Sequence, residues 1–302
     1  PIELRGGIDT RDLSLSDFTG MKELGKFTAN AGLRLSFGKD GMSLTLDSLL
    51  VDKLGLLGYE YTGMKVTGSY TPRAFDARLL CGDPNLNFIL QGSGLFAEQS
   101  LDLSGNIGYA DLQALGLDRR GRSLGSGGIS GVSRGGRSTL TLQDVSVENE
   151  LGRKELGDII LDASASGGNS SVQLHSGFAE AGYNGNRDFP VLMRDLLEIT
   201  VRRELPALFK DSRKGARKVA ECDLTVDLHD TRDLLSYLMP GLYIADSTRL
   251  RLNSGRDGIL EASLNSPRIA WKTDWLKGLT LTFDNRDGSL NALLVSKETS
   301  IG

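Results

Sequence analysis

The feature that most constrains the fold is an alternation of apolar and polar residues that recurs along most of the chain. The clearest runs are Leu44, Leu46; Phe75, Ala77, Leu79, Cys81; Leu140, Leu142; Cys222, Leu224, Val226, Leu228; and Leu279, Leu281, Phe283. Because successive side chains of a strand point to opposite faces, this pattern is typical of half-buried antiparallel strands. Each sheet would then have one apolar face that must be covered by protein or by another apolar material.

Composition limits the classes of protein that fit this pattern. The chain has 302 residues, of which 39% are hydrophobic and 25% charged, so it is too apolar to be disordered. Its net charge of -4 argues against nucleic acid as a partner, because phosphate binding requires a basic surface. The 38 Gly against 7 Pro indicate frequent tight turns.

Alternation and turn residues predict about fifteen strands and little helix. We expect strands near 31–37, 42–51, 57–67, 73–81, 85–91, 100–107, 138–149, 157–166, 170–184, 219–229, 247–254, 258–265, 268–274, 278–285 and 289–295, with a less regular stretch before residue 31. Asp40-Gly41, Asp257-Gly258 and Asp287-Gly288 predict hairpin turns between antiparallel neighbours. An amphipathic helix is expected over 188–210, with shorter helices at 109–117 and 231–238.

Catalytic motifs are weak. Gly121-Arg122-Ser123-Leu124-Gly125 matches the G-x-S-x-G pattern of a hydrolase, but its flanks lack the strand before the serine and the helix after it that this motif needs. His175 and His229 fall on the polar sides of predicted strands, with too few partners for a metal site. We therefore predict that the chain is not an enzyme and has no catalytic residues, cofactor or metal.

Two basic clusters and two cysteines complete the set of candidate residues. Arg119, Arg120, Arg122, Arg134 and Arg137 lie in a Gly-Ser-rich stretch predicted to be a loop, and Lys210, Arg213, Lys214, Arg217 and Lys218 follow the amphipathic helix. Each cluster is either a solvated surface or a contact for anionic lipid headgroups. Cys81 and Cys222 are in phase with apolar positions, which indicates buried unpaired thiols, with a disulfide left open.

Three stretches carry a resemblance to a known family. The first stretch consists of Phe75-Asp76-Ala77-Arg78, Asp83-Pro84-Asn85-Leu86-Asn87-Phe88 and Gly92. The second consists of the block 176–183 and Leu205-Pro206-Ala207-Leu208-Phe209. The third runs from Cys222-Asp223-Leu224 through Asp230-Thr231-Arg232-Asp233-Leu234-Leu235, Leu238-Met239-Pro240 and Leu242-Tyr243-Ile244 to Thr248. In order and spacing they resemble the TamB (translocation and assembly module) branch of the AsmA-like proteins, within the bridge-like lipid transfer superfamily, over most of residues 30–295. The arginine-rich stretch 119–137 departs from that pattern.

The resemblance implies an all-β fold in which a long curled antiparallel sheet (a β-taco) lines an open hydrophobic groove. It also implies a periplasmic protein of the cell envelope, anchored in the inner membrane by an N-terminal helix outside this sequence. Such proteins conduct phospholipids to the outer membrane and support outer-membrane protein assembly with an Omp85-class barrel, TamA-like or BamA-like. The family supplies no catalytic residues.

In such a groove the inward apolar side chains would bind phospholipid acyl chains. The candidates are Leu44, Leu46, Phe75, Leu79, Phe88, Leu90, Leu140, Leu142, Leu161, Val172, Leu174, Leu224, Val226, Leu228, Leu250, Leu252, Trp271, Leu281 and Phe283. The alternation itself is equally compatible with a closed β-sandwich or barrel that buries the same residues, as in a scaffold or an adhesin without lipid transport. A solenoidal carbohydrate-active enzyme would require clustered charged residues on one exposed sheet face, which the sequence does not obviously show.

The expected organisation is a first β-groove segment over 1–187, an amphipathic helix and basic connector over 188–218, and a second segment over 219–302 that continues the same sheet. Because the sequence starts at Pro1 without a leader, we expect it to be an internal piece of a longer polypeptide. No stretch is long and apolar enough for a membrane-spanning helix.

Overall fold

The structure is a computed structural model that describes residues 2–39, 41–118, 120–186, 221–255, 259–286 and 291–301. The chain forms two compact units, Pro1–Asp158 and Ile159–Gly302. In both units most described residues lie in antiparallel strands, which confirms the predicted all-β class. The boundaries predicted at 188 and 218, and the amphipathic helix between them, lie outside the described residues.

The first unit is an antiparallel ladder in which each strand pairs with the next along the chain, except that the short strand β4 pairs only with β3. Its elements are β1 (Ile2–Ser14), α1 (Leu15–Thr19), β2 (Leu24–Gly38), β3 (Gly41–Leu56), β4 (Tyr59–Tyr61), β5 (Met64–Tyr70), β6 (Ala74–Asp83), β7 (Leu86–Leu95), β8 (Ser100–Asp111), β9 (Leu124–Arg134) and β10 (Arg137–Asn149). The long strand β3 pairs with both short strands that follow it, with β4 near one end and β5 along the rest. The ladder then continues from β5 to β10 without closing on itself.

The second unit repeats this arrangement. Its elements are β11 (Gly152–Ser166, paired with β12 from Ile159), β12 (Asn169–Ser176), β13 (Ala179–Gly185), β14 (Cys222–Leu228), α2 (Arg232–Leu238), β15 (Leu242–Ile244), β16 (Thr248–Ser254), β17 (Leu260–Trp271), β18 (Asp274–Asp284), β19 (Asn291–Val295) and β20 (Glu298–Ser300). Here β17 pairs with both β15 and β16, and β18 pairs with both β19 and β20. In this unit β17 and β18 are thus long strands that each form hydrogen bonds with two shorter strands, which keeps the shorter strands in the same ladder.

Buried polar groups stabilise the points where two short strands follow one another. Between β4 and β5, the backbone N–H and the hydroxyl of Thr62 both donate to Asp83, at 2.8 and 2.9 Å. Between β15 and β16, Thr248 Oγ1 donates to the carbonyl of Ala245 at 2.6 Å and lies 2.7 Å from Ser266 Oγ. These bonds satisfy polar groups that the interrupted ladder would otherwise leave unpaired.

The predicted antiparallel pairing across each Asp-Gly pair is confirmed, because the strands on either side are neighbours in the ladder. Of the residues in these three pairs, only Gly41 is among those that the structure describes. The helix predicted at 231–238 is also confirmed as α2.

The helix predicted at 109–117 is wrong, since β8 continues to Asp111. Beyond it the chain makes a turn in which Asp111 Oδ1 accepts a hydrogen bond from the N–H of Ala114 at 3.0 Å.

Four strands were not predicted: the short strands β15 and β20, and the longer strands β1 and β9. β1 lies in the stretch read as irregular, and β9 lies in the Gly-Ser-rich stretch read as a loop. In both cases the strand is specified by its neighbours, because β1 pairs with β2 over most of its length and β9 is hydrogen-bonded to β8 and to β10. The single strand expected at 170–184 is two strands, and the two expected at 258–274 are mainly one.

Candidate functional site

In the first unit, residues paired across the ladder form continuous apolar rows on one side of the sheet. The longest row crosses nine strands and consists of Ile8, Ala31, Leu49, Val66, Leu79, Leu90, Gly105, Ile129 and Leu142. A neighbouring row contains Leu4, Leu35, Leu44, Tyr70, Phe75, Gly94 and Leu101. We call this side the first apolar face.

Glycines on the first apolar face lie beside large side chains of adjacent strands. A Cβ atom on Gly94 would lie 2.5 Å from Cε1 of Phe75, and one on Gly105 would lie 2.5 Å from Cδ2 of Leu90. The large side chains therefore extend over the neighbouring strand and occupy the space that the glycines leave. This packing makes the face apolar even where its residues have no side chain.

The second unit has an equivalent side, which we call the second apolar face. One row crosses eight strands and is apolar throughout: Leu161, Leu174, Ala181, Val226, Leu250, Leu264, Leu281 and Leu294. The next row consists of Ala163, Val172, Tyr183, Leu224, Leu252, Ala262, Phe283 and Ala292. No charged residue interrupts either row.

Few side chains on these faces are fully buried. Inner positions such as Leu79, Leu90, Val226 and Leu250 are half-buried. At the outermost strands, Ile8 is 53% and Leu294 is 55% exposed. Side chains enclosed between two packed layers would be buried. Within the described residues, each apolar face is therefore only partly covered.

The reverse sides of both ladders are polar. In the first unit a row opposite the apolar face contains Arg5, Arg34, Thr45, Ser69, Asp76, Ser93, Asp102, Val132 and Thr139. Ion pairs lie on these sides, for example Arg34 with Asp47 at 3.4 Å and Arg249 with Asp227. Each sheet is thus amphipathic, with a solvated side and an apolar side.

The structure places the predicted groove residues on these two faces, with one exception. Leu44, Leu46, Phe75, Leu79, Phe88, Leu90, Leu140 and Leu142 lie on the first, and Leu161, Val172, Leu174, Leu224, Val226, Leu228, Leu250, Leu252, Leu281 and Phe283 on the second. The exception is Trp271. The register of β17 with β18 is unbroken from Glu261 to Trp271, so Trp271 lies on the side of Ser263 and Asn265.

Several face residues were not among the predicted set. They include Ile8, Ala31, Leu49, Val66, Ile129, Ala181, Leu264 and Leu294. Some of them, such as Leu264, continue an alternation already visible in the sequence. Ile129 stands alone among Gly and Ser, so only its position opposite Leu142 identifies it.

A buried carboxylate lies at one end of the first apolar face. Asp83 is 1% exposed and accepts hydrogen bonds from Tyr59 Oη at 2.6 Å and from the N–H of Asn85 at 2.8 Å, in addition to those from Thr62. Burial alone would raise the pKa of Asp83, but the hydrogen bonds from Tyr59, Asn85 and Thr62 outweigh it and lower this pKa. The ionised carboxylate is therefore a structural anchor of this region.

Both cysteines are free and buried, as predicted. Burial raises the pKa of the Cys81 thiol and of the Cys222 thiol. Cys222 packs with Tyr183 in a small core, against Val172, Leu224 and Leu252. Both residues thus act as small apolar side chains.

The described arginines of the 119–137 stretch are largely paired with carboxylates. Arg120 contacts Asp118 at 2.7 Å, Arg122 contacts Asp111 at 3.3 Å, and Arg134 contacts Asp102 at 3.4 Å. These contacts favour the solvated-surface interpretation over binding of anionic lipid. Arg119 and the second basic cluster lie outside the described residues.

Ser123, the central residue of the G-x-S-x-G match, is buried rather than presented to a cleft. It is 2% exposed, and its hydroxyl donates to Asp118 Oδ2 at 3.3 Å. β9 begins at Leu124, so the serine is followed by a strand and not by the helix that the motif requires.

Among the described residues there is no cluster of three potential metal ligands. In the same part of the chain, no helix has both the length and the hydrophobicity required to cross a membrane. Comparisons with protein-family models, with curated proteins and with solved structures found no match to this chain.

Proposed function

We propose that the two apolar faces bind the acyl chains of phospholipids. One observation supports this most directly. Each face carries rows of apolar side chains that cross the strands without a charged residue between them, and the described residues leave these side chains partly exposed. Exposed apolar surface of this extent is unfavourable in water and is typical of a surface with an apolar ligand. On this basis we favour an open lipid-binding sheet over a closed sandwich scaffold.

The rows suit movement of a lipid as well as binding. Neighbouring strands are about 4.8 Å apart, so a nine-strand row extends roughly 40 Å. Burying about fifteen methylenes contributes on the order of 10 kcal/mol. Because successive positions along a row are chemically alike, an acyl chain moving from one strand to the next would avoid most of the cost of entering water.

We further propose that the chain is a periplasmic segment of a TamB-like protein. In that role it would conduct phospholipids between the inner and outer membranes and support outer-membrane protein assembly beside an Omp85-class barrel. This part of the proposal rests on the resemblance of the three sequence stretches. The amphipathic sheets are compatible with it.

Lipid extraction and native mass spectrometry of the purified chain test the binding proposal. We expect co-purifying phospholipid, reduced in Leu142→Asp and in Leu281→Asp, because a carboxylate on an apolar row disfavours an acyl chain. The matched controls are Thr141→Asp and Thr282→Asp, one residue away on the polar sides of the same strands. They should keep their lipid. Equal lipid content in face and control variants would contradict the proposal.

A photo-crosslinker provides a test that does not depend on how well the Asp variants fold. p-Benzoyl-phenylalanine at Leu250 should crosslink lipid, whereas the same residue at Arg251, on the opposite side of β16, should not. Equal crosslinking at both positions would exclude a face-specific site.

A further inference from the structure

The hairpin turns at one end of the first unit lie side by side. They connect β2 to β3, β5 to β6, β7 to β8 and β9 to β10. We call these turns and the residues that flank them the turn edge, which consists of 37–42, 70–74, 95–99 and 134–137. A Cβ atom on Gly41 would lie 2.9 Å from Cγ of Pro72, and the N–H of Phe96 donates to the carbonyl of Arg73 at 3.0 Å. The first three turns are therefore joined, and the pairing of β8 with β9 brings the fourth beside them.

Large apolar side chains are exposed along the turn edge. Four of them are between 40% and 46% exposed: Phe37, Met42, Tyr70 and Phe96. Phe37 and Met42 are cross-strand neighbours and lie two residues beyond the row of the first apolar face that contains Tyr70. The ring centroid of Phe96 lies 5.7 Å from that of Tyr70 and 5.9 Å from that of Phe75. The first apolar face thus extends as far as the turn edge.

The turn edge is positively charged, although the chain as a whole is not. It has four cations against two acids, which gives a net charge of +2 against -4 for the chain: Lys39, Arg73, Arg134 and Arg137, with Asp40 and Glu98. Arg134 contacts Asp102 at 3.4 Å, but both side chains are exposed, so this pair is weak. Within the described part of the chain, Arg137 has no carboxylate at ion-pair distance, unlike the other described arginines of 119–137. The turn edge therefore offers positive charge to anionic groups.

Exposed rings beside cations are typical of a surface that meets a lipid bilayer. The rings enter the zone between the headgroups and the acyl chains, and the cations pair with the phosphates of anionic lipids. A bilayer supplies both kinds of contact along the whole edge. An acyl chain that leaves the bilayer there would pass directly onto the first apolar face, because that face reaches the same turns.

We propose that the turn edge docks on a lipid bilayer that contains anionic phospholipids, with Phe37, Met42 and Phe96 inserted among the headgroups. The proposal goes beyond acyl-chain binding. Docking requires the turn edge, whereas acyl-chain binding requires the apolar rows further inside the ladder, so each is tested separately.

Co-sedimentation with sucrose-loaded vesicles tests the docking. The chain should bind phosphatidylcholine vesicles with about 30% phosphatidylglycerol roughly tenfold more tightly than phosphatidylcholine alone, and high salt should remove the difference. Lys39→Gln combined with Arg137→Gln should weaken binding to the anionic vesicles about tenfold. The matched control is Lys22→Gln combined with Lys53→Gln, at the opposite end of the same unit, which should bind as the unmutated chain does.

The apolar part of the turn edge has its own matched pair of variants. Phe37→Ser combined with Met42→Ser should weaken vesicle binding several-fold. Met21→Ser combined with Leu117→Ser removes two exposed apolar side chains from turns at the opposite end of the unit and should not. Circular dichroism checks that each variant is folded.

A fluorescence measurement gives a readout that does not depend on weakened binding. Relative to the unmutated chain, Phe96→Trp should gain emission that shifts to the blue with anionic vesicles and is quenched by brominated acyl chains. Leu117→Trp should show neither effect, because its turn lies at the other end of β8.

Binding to neither kind of vesicle, or equal weakening in the turn-edge and control variants, would overturn the docking. Co-purified phospholipid without vesicle binding would overturn the docking and leave the apolar faces standing. Vesicle binding with the expected pattern, but without co-purified phospholipid, would support the docking and contradict acyl-chain binding alone.

Discussion

At the scale of single residues, the described part of the chain combines apolar side chains that are half-exposed with polar ones that are buried. Asp83, Ser123, Thr248 and Ser266 are among the most buried residues, whereas Leu4 is 54% exposed. Apolar residues such as Val51, Tyr183 and Leu279 are still the majority of the buried residues, but buried polar side chains are more prominent than in an ordinary globular core.

Asp83 gives the clearest prediction for stability. Asp83→Asn should destabilise the first unit by about 1–3 kcal/mol, because it replaces a buried acceptor of several hydrogen bonds with a group that can accept fewer. Urea unfolding followed by circular dichroism measures this change. Asp76→Asn, on the exposed side of the same strand, is the control and should change stability little.

The lowered pKa of Asp83 also determines a pH dependence. Its folded pKa lies below its unfolded value of about 3.9, so its stabilising effect is complete above that value and is lost as pH falls through the folded pKa. Unfolding free energies measured between pH 6 and pH 2.5 should therefore fall more steeply for the unmutated chain than for Asp83→Asn. Parallel curves would show that this carboxylate is not the group responsible.

The cysteines should be unreactive in the folded chain. Burial disfavours the thiolate of Cys81 and of Cys222, and the thiolate is the form that reacts. Maleimide labelling at pH 7.5 should thus be slow under native conditions and rapid in urea, as counted by mass spectrometry. Fast native labelling of either thiol would show that its strand opens readily.

At the scale of strands, glycine is part of the apolar face as well as of the turns. Gly105→Ala should destabilise by about 1–3 kcal/mol, because the new methyl group would overlap the Ile89 carbonyl oxygen and crowd Leu90. Thermal unfolding measures the loss. Gly32→Ala is the matched control, since a Cβ atom there meets nothing within 4 Å. Its stability should equal or slightly exceed that of the unmutated chain.

At the scale of the whole molecule, each compact unit has its own apolar face. We therefore expect that Leu142→Asp lowers the number of bound lipids without abolishing binding, that Leu281→Asp does the same, and that the double variant binds least. Native mass spectrometry gives the number of lipids per chain. Complete loss in either single variant would instead indicate that lipid binding at the two faces is interdependent.

Local pattern predicted the faces well because alternation is a property of the strand itself. Leu79, Leu142, Val226 and Leu250 were assigned to apolar faces from their immediate neighbours in sequence, and the ladder registers agree. β9 was missed because its Gly and Ser residues carry no alternation. It is a strand only because β8 and β10 provide hydrogen bonds on both sides and large side chains across it.

By itself, the sequence determined the all-β class, the antiparallel pairing across the Asp-Gly pairs and most of the residues on each apolar face, since these follow from side-chain spacing and turn residues close together in the chain. The tertiary structure decided the side on which Trp271 lies, the burial of Asp83 and the contacts that join the turns of the turn edge. Each of these depends on which residues from distant parts of the chain meet across the ladder. That register is set by long-range pairing, and no local pattern contains it.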